Sequence, residues 1–389
     1  MKFYYYYFLF GIFLLLMNCS AYRQLRLESG AALQTDKDIH QIPFDYVKGL
    51  IVVEANLQEK TTTHRFIFDT GAFNSKVEDG LAEDLQLPTK SKQLNGTAQG
   101  IRQTIEMTVV DSILLEDLTF YGIAAGKLKY ASTSYSPCIA ENGIIGANLI
   151  KLANWKIEYQ NKLLFASKNT LFPPENTKHH SLDFKTSFLS GIPKINIMIE
   201  GKLIKNVLFD VGYNGGLVIP KKYAALFPNV TSNLYIDQST SGIFGSNRDT
   251  LLVKELNVQL SDFETHIPVQ FSSLNKALLG NDFLEHFTVY LNYAENKIVL
   301  QPIENVKIEK ERNFIPGILN DSLWIVNRTV PNSALHMGDT LKTINGYIPK
   351  NLFASHCDYF LNISKLLNQN TLFIETNHQK IIHLNQSKK

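Results

Sequence analysis

The feature that most constrains the fold is a short motif that occurs twice. One apolar run ends in Phe-Asp-Thr-Gly around Asp69, and a later apolar run ends in Phe-Asp-Val-Gly around Asp210. Each motif is followed, after a nearly equal interval, by two apolar residues and a glycine, at 144–146 and 278–280. Repeats in one order and at a near-constant offset indicate duplication of a structural unit. The sequence therefore predicts two homologous lobes, each with an aspartate at the end of a strand.

The body of the chain favours β structure. Short runs rich in valine, isoleucine, phenylalanine and tyrosine alternate with glycine, asparagine and aspartate turns, and long helical periodicity is absent. The expected fold class is mainly β. The predicted segments are a signal peptide at 1–19, a tether at 20–40, a first lobe at 41–168, a linker at 169–182, a second lobe at 183–303 and a small C-terminal domain at 304–389.

Residues 1–19 have the composition of an export signal. One lysine precedes an apolar and aromatic run that is about the length of a signal-peptide core and short for a bilayer span. Cys19, with Leu16 three residues before it, resembles the lipidated cysteine of the bacterial lipobox, although Asn18 departs from that pattern. An uncleaved anchor and a plain secretory signal are the alternatives. Each interpretation predicts an exported protein of the periplasm or cell envelope, and lipidation of Cys19 would anchor it to the membrane.

Charge and cysteine content exclude several classes of function. Lysine plus arginine number 38 against 36 aspartate plus glutamate, without a basic stripe, so no nucleic-acid partner is expected. Three cysteines are too few for a four-cysteine zinc site. Nothing in the spacing of Cys138 and Cys357 supports a bridge, so both are interpreted as small buried residues. The sequence also lacks the motifs of serine hydrolases, zinc peptidases and nucleotide-binding loops.

Two facing aspartates would supply a specific chemistry. Burial and a nearby like charge both raise the pKa of a carboxyl group. If Asp69 and Asp210 face each other, the pair shares one proton between acid and neutral pH. The ionised member takes a proton from a water between them, and the protonated member polarises a scissile carbonyl. This reaction needs neither a metal nor a cofactor, and neither is expected.

Over about residues 41–303 these features resemble the retropepsin-like and pepsin-like aspartic proteases. The Asp-Thr-Gly-Ala segment at Asp69, with Ser75, is similar to the retroviral form of the catalytic motif. The apolar-glycine segments at 144–146 and 278–280 are similar to the element that packs behind the catalytic loop. The resemblance implies a pair of β-barrel lobes, a polypeptide substrate, and endopeptidase activity carried by Asp69 and Asp210. The supporting loop residues it implies are Thr70, Gly71, Val211 and Gly212.

The family also has a β-hairpin flap that closes over the substrate. Glycine-rich hairpin tips suit mobility, because glycine relaxes backbone limits. Two ordinary surface hairpins are the alternative interpretation. The flap candidates are Gly96, Thr97 and Gly100 in the first lobe, with Gly242 and Gly245 in the second.

The second motif departs from the family pattern at Val211. The family usually has a threonine there, whose hydroxyl bonds to the opposite loop. Valine has no hydroxyl, so polar groups of the opposite loop should be less well satisfied. The alternative function is therefore a catalytically inactive peptide-binding protein that keeps the two-lobed cleft. A weaker alternative is a structural scaffold in which Asp69 and Asp210 lie far apart.

The C-terminal segment resembles a bacterial PDZ domain. A Gly-Asp-Thr-Leu segment at 338–341 leads into a strand and an Asn-Gly turn at 345–346. Phe360, Ile363 and Leu367 share one face at helical spacing, with Asp358 as the expected cap. The resemblance implies binding of an extended peptide, with residues 313–318 as the carboxylate loop. A small β domain that only packs on the second lobe is the alternative.

Overall fold

The computed structural model describes residues 24–97, 100–186, 190–238, 242–245, 247–308, 310–319, 322–377 and 380–385. Strands hold 49% of the described residues and helices 13%, so the prediction of a mainly β fold is confirmed. Within the described ranges, no helix has the length and apolar character needed to span a bilayer. Cys19, the predicted lipidation site, lies outside the described residues.

The first half of the chain places Asp69 at the end of a central strand. That strand, β4, pairs with β3 in antiparallel orientation and with β9 in parallel orientation, so that Asp69 lies opposite Gly146. The elements of this half are β1 (Ala32–Gln34), β2 (His40–Val47), β3 (Leu50–Leu57), β4 (Thr63–Asp69), β5 (Ser75–Glu78), α1 (Asp79–Asp84), β6 (Ser91–Gly96), β7 (Arg102–Leu115), β8 (Leu118–Leu128), α2 (Ser136–Ile139), β9 (Gly143–Gly146), α3 (Ala147–Ile150), β10 (Asn154–Glu158) and β11 (Leu163–Ser167).

The second half has the corresponding arrangement. Strand β14 pairs in parallel with the short strand β19, with Phe209 opposite Leu279, and Asp210 follows directly. This pairing is what the duplicated-lobe hypothesis expects of the two apolar-glycine segments. The elements are β12 (His180–Asp183), β13 (Lys194–Ile199), β14 (Lys202–Phe209), β15 (Leu217–Pro220), a 3-10 helix (Lys221–Leu226), β16 (Asn233–Asp237), β17 (Asp249–Leu260), β18 (Phe263–Ser272), β19 (Leu278–Leu279), α4 (Asn281–Leu284), β20 (Phe287–Asn292) and β21 (Lys297–Pro302).

Strands from both halves join in one sheet behind the two aspartates. β10 pairs with β20, with Trp155 opposite Leu291, and the order β12-β21-β20-β10-β11-β2 continues on both sides. Trp155 is fully buried, and its ring lies 4.9 Å from that of Phe68, the residue before Asp69. Burying an aromatic side chain of this kind contributes about 1.5–3 kcal/mol. The loop that carries Asp69 therefore rests on a packed core.

Two segments outside the predicted lobes also form strands. β1 belongs to the predicted tether, and it pairs with β8, with Leu33 opposite Phe120. β12 begins in the predicted linker, and it pairs with β21, with His180 opposite Leu300. Both segments therefore pack on the body of the protein.

The C-terminal unit continues the sheet of the second half. β23 pairs with β16, with Asp237 opposite Arg328, and the Arg328 Nε donates to Asp237 Oδ1 over 2.7 Å. Both side chains of this ion pair are buried. The elements of the unit are β22 (Ile315–Leu319), β23 (Leu323–Thr329), β24 (Thr340–Ile344), a 3-10 helix (Pro349–Asn351), α5 (His356–Leu367), β25 (Thr371–Thr376) and β26 (Ile381–Asn385).

Helix α5 confirms the predicted helical segment, but its cap is not Asp358. The N-cap is Ser355, whose side chain accepts a hydrogen bond from the Asp358 N–H over 3.1 Å. The Asp358 carboxylate accepts in turn from the Ala354 N–H over 2.8 Å. Asp358 thus lies in the first turn of α5, and its carboxylate binds the residue before the N-cap.

The interpretation of the two described cysteines as unpaired is wrong. Cys138 in α2 and Cys357 in α5 form a disulfide, with their Cα atoms 5.1 Å apart. The two residues are 219 positions apart in sequence. Sequence spacing could not reveal the bridge, because it depends on how the C-terminal unit docks on the first half. The disulfide ties α5 to the first half.

Candidate active site

Asp69 and Asp210 lie on two loops that face each other. A β-carbon added to Gly212 would lie 2.1 Å from the Asp69 Cγ, and one added to Gly71 would lie 2.3 Å from the Asp210 Oδ2. Each carboxyl group therefore packs on the glycine of the opposite loop, where no side chain fits. The structure brings together the two aspartates that the sequence motif singled out.

Thr70 locks the first loop to the second. Its buried hydroxyl donates to the Phe209 carbonyl over 2.7 Å and accepts from the Val211 N–H over 3.0 Å. Val211 is also buried, but its side chain has no group that could return these bonds. The inter-loop contact predicted from the family is thus made from the first loop alone.

Asn281, which the sequence analysis did not single out, supports the second loop. Its Nδ2 donates to the Val211 carbonyl over 2.8 Å and to the Gly49 carbonyl over 2.7 Å. Its Oδ1 accepts from the Tyr159 hydroxyl over 2.8 Å. These bonds fasten the second loop to the first half from behind. The sequence offered one signal for Asn281, which is that it directly follows the repeated glycine Gly280.

The two carboxyl groups have unequal environments. Removal from water raises the pKa of Asp69, but the Lys76 charge acts against this rise, as do the N–H groups of Gly71 and Ala72. Those N–H groups donate to Asp69 Oδ1 over 2.7 and 2.9 Å. For Asp210, burial and then the negative charge of Asp69 raise the pKa well above its usual range. The surroundings of Asp69 therefore favour the ionised form more strongly than those of Asp210 do.

Lys76 is a second residue that the sequence analysis missed. Its side chain is only 5% exposed, and its Nζ donates to the Asn74 carbonyl over 3.1 Å. Burial lowers the pKa of Lys76, while the charge of Asp69 raises it. A buried ammonium group next to a carboxylate stabilises the ionised state of both. Lys76 thus favours the ionised state of Asp69.

A cleft of about 420 Å³ opens over the two aspartates. Of the flap candidates, Gly96, Thr97 and Gly242 line it, whereas Gly100 and Gly245 lie outside its described lining. The second hairpin tip reaches the first half, because the Ala131 N–H donates to the Ile243 carbonyl over 3.1 Å. The mobility of these hairpins stays a prediction.

The lining of the cleft is mixed in both halves. The first half contributes Leu50, Ile67, Ile139 and Ile144 together with Lys76, Thr97 and Ser136. The second half contributes Leu208, Val218, Leu274 and Leu278 together with Asp249, Gln270, Ser272, Ser273 and Lys276. Among the residues whose structure is described, no group of three or more histidine, cysteine, aspartate or glutamate side chains could hold a metal ion.

Comparison with known proteins gives one family match. Residues 53–149 match a family model described as aspartyl protease. The matched segment contains Asp69, Thr70, Gly71 and the apolar-glycine segment at 144–146, and it ends before Asp210. A search of curated proteins gives no match. At the level of the family, the match supports a protease-type enzyme.

Proposed function

We propose that the protein is an aspartic endopeptidase that hydrolyses peptide bonds in exported or extracellular polypeptides. The observation that carries this proposal is the face-to-face packing of two carboxyl groups, each on the glycine of the opposite loop. Two such groups cannot both ionise easily, so one proton is shared. The Thr70 bonds and the Asn281 bonds hold the loops in this arrangement.

We propose a separate role for each carboxyl group. Asp69, ionised beside Lys76, takes a proton from a water between the carboxyls, and the water oxygen attacks the scissile carbonyl carbon. Asp210, protonated, donates a hydrogen bond to the carbonyl oxygen and stabilises its developing charge. As the C–N bond breaks, the leaving amine takes a proton from the pair. The products are a carboxylic acid and an amine, and the pair again holds one proton.

The test of this function is hydrolysis of an unfolded polypeptide between acid and neutral pH, with wild type beside Asp69→Asn. Fragments that appear with wild type and not with the variant are expected. Equal cleavage by both proteins would show that another group is responsible.

A second candidate function is peptide binding without turnover. It is favoured by Val211, which provides no hydroxyl, and by the C-terminal unit, whose resemblance to a PDZ domain implies that a peptide adds to the edge of β22 that has no partner among the described strands. The Tyr359 hydroxyl donates to the Pro316 carbonyl on that edge, so a peptide strand would have to displace this bond. This candidate predicts peptide affinity that survives Asp210→Asn, with no fragments formed.

Export with lipidation at Cys19 forms part of the proposal. The composition of residues 1–19 supports it, and so does the disulfide between Cys138 and Cys357, because such bonds persist mainly in oxidising compartments. Growth of a bacterial expression host with labelled fatty acid should label the wild type and leave Cys19→Ser unlabelled. Label in both proteins, or in neither, would remove the lipoprotein assignment.

A further inference from the structure

A side chain of the C-terminal unit reaches the cleft that holds the two aspartates. Phe360, on α5, lines this cleft. Its ring also packs against the apolar cluster that contains Leu50, Ile67 and Ile139, and Ala72 packs against the same cluster. Ala72 belongs to the first catalytic loop, where its N–H donates to Asp69 Oδ1. Phe360 therefore borders the space next to Asp69, although it lies almost three hundred residues later in the chain.

The position of Phe360 is fixed by an aromatic stack. The Tyr135 ring lies parallel to the Phe360 ring, with 4.5 Å between their centroids and 11° between their planes. The same Tyr135 ring stacks on His356 at 4.3 Å, one turn earlier in α5. The Lys48 ammonium lies 5.6 Å from the centre of the Phe360 ring. Parallel aromatic contacts of this kind stabilise the packing beyond the burial of the two rings.

The disulfide holds the same elements together. Cys138 lies in α2, three residues after Tyr135, and Cys357 lies in α5, three residues before Phe360. The covalent link thus closes directly beside the stack. Tyr135, Ser136 and Ile139, at the start and end of α2, line the cleft together with Phe360. These residues form one side of the cleft. They come from two separate parts of the chain, which the Cys138–Cys357 disulfide joins.

We propose that Phe360 and the α2 segment form an apolar substrate subsite next to Asp69, held in place by the Cys138–Cys357 disulfide. The proposal rests on the proposed peptidase function. Its occupant is a bulky apolar side chain of the polypeptide substrate, because Phe360 lines the cleft beside the apolar cluster that contains Leu50, Ile67 and Ile139. Phe360 packs on the apolar cluster of the first half, so the requirement that depends on Phe360 should apply to one side of the scissile bond.

The test uses pairs of peptides that differ at one position, leucine against alanine, scanned on both sides of the cleavage point. For wild type, we expect one position at which leucine raises kcat/KM at least tenfold. Phe360→Ala should reduce the leucine-to-alanine ratio of kcat/KM by about tenfold, because the shortened side chain no longer excludes water from the bound leucine. The double variant Cys138→Ser with Cys357→Ser keeps Phe360 but frees α5, and it should reduce the ratio in the same direction.

Phe373→Ala is the matched control, because Phe373 lies in the same unit with its side chain 49% exposed. It should leave the leucine-to-alanine ratio as in wild type. An unchanged ratio in folded Phe360→Ala would overturn the subsite. If wild type cleaves no peptide, the proposed function fails. The subsite is then tested by binding, through the affinities of the same leucine and alanine peptides for Asp69→Asn. A leucine preference in binding that depends on Phe360 would support it, whereas no preference or no binding would overturn it.

Discussion

Replacing Asp69 by asparagine is expected to lower kcat/KM for an unfolded polypeptide by about 10,000-fold. Asparagine keeps the size of the side chain, and its oxygen can still accept from the Gly71 and Ala72 N–H groups. It cannot take a proton from water at these pH values, so the activated nucleophile is lost while the loop is retained. The measurement is the rate of new amine formation with each protein, at several pH values between acid and neutral.

Asp45→Asn provides the control for this substitution. Asp45 lies on β2 of the same half, its side chain is 63% exposed, and its partner is Arg65 at the surface. The same chemical change there should alter kcat/KM less than twofold, since a surface ion pair contributes at most about 1 kcal/mol to stability and touches no reacting atom. Similar losses in both variants would show that the activity does not depend on the paired aspartates.

Gly212→Ala is expected to lower kcat/KM by at least about 100-fold and stability by about 1–3 kcal/mol. The added methyl group would lie 2.1 Å from the Asp69 Cγ, so one loop must move. The obstacle is the opposite catalytic carboxyl group, which means that any movement separates the pair. Activity and the midpoint of denaturant unfolding should be measured on the same preparation.

Gly30→Ala separates this effect from the general cost of replacing glycine. No atom lies within 4 Å of the added methyl group at Gly30, outside the neighbouring residues. That variant should therefore match the wild type in activity. Full activity in Gly212→Ala would mean that the two loops do not approach each other as closely as the structure shows.

The sequence predicted the site better than it predicted the surroundings of the site. The repeated aspartate motif and the glycine echo identify Asp69, Asp210 and the strands behind them, because strand ends, turns and local apolar runs are local properties. The mainly β class follows from the same local patterns. The position of α5 was also predicted, although its cap is Ser355 rather than Asp358.

The residues that were missed depend on contacts between distant parts of the chain. Lys76 reads as a surface lysine after a turn, and only folding buries it beside Asp69. Asn281 acts through carbonyl groups of Gly49 and Val211, which no spacing rule connects. The Cys138–Cys357 disulfide and the position of Phe360 in the cleft both require the C-terminal unit to dock on the first half. A single sequence without long-range pairing information does not contain that docking geometry.

Titration of the carboxyl carbons of Asp69 and Asp210 will show whether the two groups share one proton. Protein labelled with ¹³C at the aspartate side-chain carboxyl is titrated by NMR, and Asp69→Asn and Asp210→Asn assign the two signals. We predict two signals that titrate together, with one apparent pKa well above the ordinary aspartate value of 3.8. In Asp69→Asn, the pKa of Asp210 should fall, because the neighbouring negative charge is gone. Two independent titrations near 3.8, unchanged by either substitution, would contradict the shared proton.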